Sequence, residues 1–210
     1  MDKQTPEELR SALAEKIPAI FDLSIRPGWC RTPKVADETL RKWHERYGSS
    51  FAEKARPVVL HRHYEEIPYD ALRAIEAMEP LFWRYGWYTN IDDFKYMLAV
   101  YLRAMLLAPD KLDVAFNQWV SLLMYYVYLP EVLMRNVKQS RFGARHWSIP
   151  DIKALQENSK SLHDFTIEQR QFIAEFFREF SELYPNEDSS YYALPMSLVE
   201  NFWDGIYLNE

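Results

Sequence analysis

With 210 residues, of which 48% are hydrophobic and 16% aromatic, the chain can bury a large core, and this composition excludes the disordered class. A formal charge of −6 leaves no basic excess to displace counterions, which argues against nucleic acid as the main partner and suits a basic protein instead. Five glycines are too few for a Gly-rich phosphate loop plus a many-turned barrel, so helices joined by Pro-containing loops are expected.

The single cysteine, Cys30, cannot form an internal disulfide, which fits a reducing compartment or indifference to redox state. No cationic and apolar leader precedes a small-residue cleavage site, and no apolar run reaches the roughly 18 residues of a membrane span. A cytoplasmic protein without membrane attachment is expected.

The elements follow in chain order. Thr5-Pro6-Glu7-Glu8 is a capping box with proline at the first helical position, and Leu9, Leu13, Ile17 and Ile20 mark the face of the helix it starts. Pro18 is expected to kink or end that helix. Asp22 to Pro33 reads as a loop. Asp37 then caps a short helix with Leu40, Trp43 and Tyr47 inward and Gly48 as its stop signal. From Ala55 to Ile67, Val58, Val59, Leu60, Tyr64 and Ile67 alternate with charges, which predicts extended chain and a small β-hairpin near Val58 to Ile67. Helix resumes from Pro68 to Ala77 with Leu72, Ile75 and Met78 on one face, and Phe82, Trp83, Tyr85, Trp87 and Tyr88 crowd the next stretch.

Asn90 to Leu129 reads as two very apolar helices broken at Ala108-Pro109-Asp110. In the first, Phe94, Met97, Leu98, Tyr101, Leu102, Met105 and Leu106 recur at helical spacing, with Asn90 as cap and Asp93 in the first turn. The second, Lys111 to Leu129, is apolar nearly all round and is expected at the centre of the core. Beyond it, Glu131 to Lys138 reads as helix, and Gln139 to Trp147 is a basic stretch without clear period. Thr166 and Gln169 form a second capping box, on a helix burying Ile173, Phe176, Phe177, Phe180 and Leu183 and stopped by Pro185. A last short helix is expected near Pro195 to Trp203.

Two groups could carry chemistry. His61 and His63, two residues apart on a strand with Glu65 beside them, would point the same way and could ligate a metal, although no further ligand with recognised spacing appears; a half-buried polar strand explains them more cheaply. Cys30, in Gly28-Trp29-Cys30-Arg31, could be a nucleophile activated by Arg31, yet no partner base is evident from spacing. Walker, Gly-x-Ser-x-Gly, Gly-x-Gly-x-x-Gly and His-Glu-x-x-His patterns are absent. The carboxylate pairs Glu7-Glu8, Asp92-Asp93 and Glu187-Asp188 sit where helix starts and solvated turns want negative charge. Trp87, Tyr88, Tyr191 and Tyr192 lie beside polar turns and, with Glu187 and Asp188, are the candidate partner-binding residues.

From Asp93-Phe-Lys-Tyr-Met-Leu-Ala-Val-Tyr-Leu-Arg103 through Ala108-Pro-Asp110 to Leu162-His-Asp-Phe-Thr-Ile-Glu-Gln-Arg-Gln-Phe-Ile-Ala-Glu-Phe-Phe177, the order of motifs resembles a family of small uncharacterised bacterial proteins with a domain of unknown function. The resemblance implies a helical fold and a bacterial cytosolic setting and supplies no catalytic residues.

The expected fold is therefore mainly α: one domain over residues 1–210, with about seven to nine helices around two central ones. Residues 1–60 stand as an N-terminal helical extension particular to this protein. The preferred function is a non-enzymatic binding protein, an immunity or antitoxin-like protein that neutralises a basic toxin domain, with no cofactor, no metal and no catalytic residues. The alternative is a small metal- or cysteine-dependent enzyme using His61, His63, Glu65 or Cys30.

Overall fold

The computed structural model describes residues 5–77, 91–108 and 164–183. The chain divides into two compact units, 1–116 and 117–210. The described residues are mainly α-helical, and no strand occurs among them. In the first unit these are α1 (Pro6–Ile20), α2 (Pro33–Tyr47), α3 (Ser49–Leu60), α4 (Tyr69–Ala77) and α5 (Ile91–Leu107), with short 3-10 turns at Gly28–Cys30 and Tyr64–Glu66. α6 (Ile167–Leu183) belongs to the second unit.

Helix starts follow local chemistry. At α1, Thr5 accepts the Glu8 N–H at 3.2 Å while the Glu8 carboxylate accepts the Thr5 N–H at 2.7 Å, so two otherwise orphaned donors are satisfied. Pro18 does not end the helix, which runs on to Ile20. α6 repeats the device: Gln169 N–H donates to the Thr166 hydroxyl and Thr166 N–H to the Gln169 side chain, both at 3.2 Å. The start of α2 differs from the sequence expectation. Thr32 is the N-cap, accepting from Val35 N–H with Pro33 at the first position, and Asp37 lies a turn inside the helix on its exposed side. The Thr-Pro pair that opens α1 opens α2 as well.

Gly48 ends α2 with φ 89° and ψ 167°, a backbone state that side-chain-bearing residues rarely adopt. A Cβ there would meet nothing within 4 Å, so Gly48→Ala isolates backbone strain. The substitution is expected to lower stability by about 1–3 kcal/mol, read as a lower urea midpoint at unchanged slope.

The hairpin near Val58 to Ile67 is corrected. Phe51, Ala55, Val58 and Val59 are all buried, and their i, i+4, i+7, i+8 spacing is one face of a helix. The two adjacent valines favour a strand locally, but burial of that four-residue face against α2 and α4 decides the outcome. Tyr64 to Glu66 then form a 3-10 turn, in which the Glu66 carboxylate accepts the N–H groups of Arg62 and His63.

Residues 6–60 are integral to the first unit: α1 packs on α5, α2 on α3, and α3 on α4. Leu13, Ala14 and Ile17 are the buried face of α1. Trp29, Trp43, Phe51 and Tyr47 form an aromatic row across α2 and α3, with successive ring centroids 6.0, 5.7 and 5.1 Å apart. α5 is buried nearly all round, including the expected Phe94, Met97, Leu98, Tyr101, Leu102, Met105 and Leu106 and also Tyr96, Ala99, Val100 and Ala104. The Tyr101 hydroxyl donates to the Leu72 carbonyl at 3.1 Å and so ties α5 to α4. In α6, Ile173 and Phe176 are buried as expected, together with Phe172, Ala174 and, just before the helix, Phe165, while the side chains of Phe177, Phe180 and Leu183 lie outside the described residues. Lys111 to Leu129, expected at the centre of the core, lies outside the described residues, as do the helices expected after it up to Lys138 and near Pro195.

Candidate functional site

Asp93 and Tyr96 lie on the buried part of α5, unlike the exposed Asp92 and the half-buried Lys95 and Arg103, so both must find partners inside the protein. Both do, across long stretches of sequence. The Gly28 N–H donates to Asp93 Oδ1 at 2.8 Å, and His61 Nε2 meets the Tyr96 hydroxyl at 2.7 Å. A Cβ on Gly28 would stand 3.3 Å from Asp93 Oδ2, a tight contact that the carboxylate would have to ease by a few tenths of an ångström.

The C-terminus of α3 supplies the second half of the arrangement. Its last carbonyls have no intrahelical donors, and side chains fill that role: His61 Nδ1 bonds the Val58 carbonyl, and the Arg26 guanidinium donates to the Val59 carbonyl at 2.8 Å. A cation at this end also meets the negative end of the helix dipole. Because the Val58 carbonyl can only accept, His61 Nδ1 carries the imidazole hydrogen. Nε2 of the neutral ring then accepts from the Tyr96 O–H, and both ring nitrogens are engaged.

Cys30 completes the group. It is 0% exposed, and its thiol donates to the Pro27 carbonyl at 3.6 Å. Burial pushes its pKa up to about 11, against the pull of the nearby Arg26 guanidinium, so the thiol is protonated at neutral pH. Burial likewise holds the His61 imidazole below the ordinary histidine value, in part offset by its bond to the Val58 carbonyl. Burial raises the Tyr96 phenol, and it raises Asp93 against the Gly28 N–H and Arg31, which favour the carboxylate. Arg26, Gly28, Cys30, His61, Asp93 and Tyr96 thus form a polar knot that joins the Phe21–Thr32 segment to the ends of α3 and α5.

Of the residues singled out in the sequence, the structure brings Cys30 and His61 to the same knot and parts His61 from His63 and Glu65. His63 and Glu65 are exposed, and Glu65 acts on Tyr64, whose ring also carries the Arg103 guanidinium 5.5 Å from its centroid. Among the described residues no group of three or more His, Cys, Asp or Glu side chains could hold a metal ion. The residues missed were Arg26, Asp93 and Tyr96. Tyr96 and Asp93 carried a weak signal, as polar groups on a mostly apolar helix. Trp87, Tyr88, Glu187, Asp188, Tyr191 and Tyr192 lie outside the described residues, and so does the basic stretch Gln139 to Trp147.

No helix among the described residues is long and apolar enough to cross a membrane. No family, no curated protein and no solved structure matches the chain.

Proposed function

We propose that the protein works by binding another protein, as a cytoplasmic immunity or antitoxin-like protein that neutralises a basic toxin domain. The observation that carries this reading is the use made of the reactive groups. His61, Asp93 and Tyr96 spend hydrogen bonds on joining segments of the fold and Cys30 spends its own on the Pro27 carbonyl of its own turn, with the thiol protonated and the imidazole held toward its neutral form. A nucleophile needs a thiolate or an adjacent free base, and a metal ligand needs a free nitrogen lone pair. The charge of −6 adds electrostatic complementarity to a basic partner, and Trp87, Tyr88, Tyr191 and Tyr192 with Glu187 and Asp188 are its proposed contacts.

Co-expression with each basic toxin domain found encoded in a neighbouring gene of the native host tests the reading, and a host with none removes it. Growth protection by the wild type should persist in Cys30→Ala and fall in Glu187→Lys combined with Asp188→Lys. That double charge reversal should weaken binding at least about tenfold at low salt, since like charges facing across an interface cost several kcal/mol. Protection abolished by Cys30→Ala in a protein with an unchanged helical spectrum would instead favour the thiol enzyme.

A further inference from the structure

The Phe21–Thr32 segment is tied to the rest of its unit by hydrogen bonds and by the packing of Trp29 on Trp43. Arg26 reaches the Val59 carbonyl, Gly28 N–H reaches Asp93, and the Thr39 hydroxyl donates to the Trp29 carbonyl at 2.7 Å. Phe21, Pro27 and Cys30 are buried and Trp29 is half-buried against Trp43, whereas Asp22, Ser24 and Ile25 are exposed. We propose that this segment is an acid-released strap: a proton taken up by His61 reverses the Tyr96 bond, sets a buried cation beside the half-buried Arg26, and lets the segment lift while the helices stay folded.

The geometry leaves that proton one place to go. His61 Nδ1 already donates to the Val58 carbonyl, so the proton adds at Nε2, which accepts from the Tyr96 O–H. The new N–H must then donate to the Tyr96 oxygen, and the phenolic hydrogen loses its acceptor. The charges around the ring oppose the change from one side and favour it from the other. Arg26 on the strap and His63 in the following turn disfavour the imidazolium, while Glu66 and the Val58 carbonyl favour it. Glu66 is exposed and already accepts from Arg62 and His63 N–H, so its pull is screened. From α5, Tyr96 touches the ring, and Asp93 holds the strap under the influence of Arg31 and Asp92; Tyr64 and Arg103 stand beside the knot, and Cys30 is a neutral thiol.

The sign follows from linkage. The closed form holds His61 below the ordinary value of 6.5, so the open form binds the proton better and gains population as pH falls below 6.5. Asp93 works in the opposite sense. Its pKa is raised in the closed form, so protonation favours closure, and a neutral carboxyl can still accept the Gly28 N–H through its carbonyl oxygen.

The chain has one cysteine, so a thiol reagent reports one site. Dithiodipyridine, which still reacts in acid, should label Cys30 of the full chain increasingly fast as pH drops from about 6.5 to 5, after correction for a free thiol at each pH. The gain approaches about tenfold per pH unit, the slope of one proton, with the far-UV circular dichroism unchanged. In His61→Gln the corrected rate should be flat. A flat profile in the wild type, the same rise in His61→Gln, or a rise that tracks loss of helix overturns the proposal. Should His61→Gln fail to fold, amide exchange of the wild type decides. The Gly28 and Cys30 amides should lose protection on acidification while those of Val58 and Val59 keep theirs, and equal loss at all four overturns the strap.

Discussion

Phe94→Ala is expected to lower stability by about 3–5 kcal/mol, the largest effect of any single truncation considered for this unit. The side chain is fully buried on α5, a helix whose neighbours Asp93, Tyr96, Met97 and Leu98 are buried as well, so little exposed chain is available to relax into the space left behind. The lost transfer free energy and the cavity then add. Leu107, at the exposed C-terminal end of the same helix, is the control: its truncation should move stability by about 0.5 kcal/mol or less. Urea titrations of both variants, followed by helical ellipticity, give the comparison. Similar midpoints for the two would place α5 at the surface and undo the architecture.

His61→Leu comes next, at about 2–4 kcal/mol, and for a different reason. Leucine fills much of the ring volume, so the cost is the loss of partners: the Val58 carbonyl and the Tyr96 hydroxyl are both left without their hydrogen bond to the ring. Tyr96→Phe alone should cost about 1–2 kcal/mol, because His61 Nε2 is then the stranded group. Combined with His61→Leu it should cost much less, since the hydroxyl already lacks that partner. A double-mutant cycle measures the difference, and strict additivity would mean that the His61–Tyr96 bond contributes nothing.

Local signals in the sequence translated well into structure, and long-range ones did not. The boxes at Thr5 and Thr166 are complete within four residues, so the chain states them outright. Thr32-Pro33 states the same thing, and the competing signal of Asp37 obscured it. Val58 and Val59 misled because the period was taken from Ala55 onward. Begun at Phe51, the same residues trace a helical face. His61 stood out in the sequence, but the ligand-type residues close to it in sequence, His63 and Glu65, suggested a metal, whereas its partner Tyr96 lies 35 residues away. No spacing rule connects Gly28 to Asp93 or Arg26 to Val59, because those bonds depend on where α3 and α5 end in space. Polar residues on the mostly apolar α5 were the one clue that such partners had to exist.

The aromatic row carries a built-in optical gauge. Trp29 rides on the segment between α1 and α2, Trp43 is fixed in α2, and their indole rings lie 6.0 Å apart and tilted by 35°, close enough for their electronic transitions to couple. Displacing the segment would uncouple the pair, so near-ultraviolet dichroism could follow it in unlabelled protein, with Trp29→Phe identifying the bands that belong to this pair.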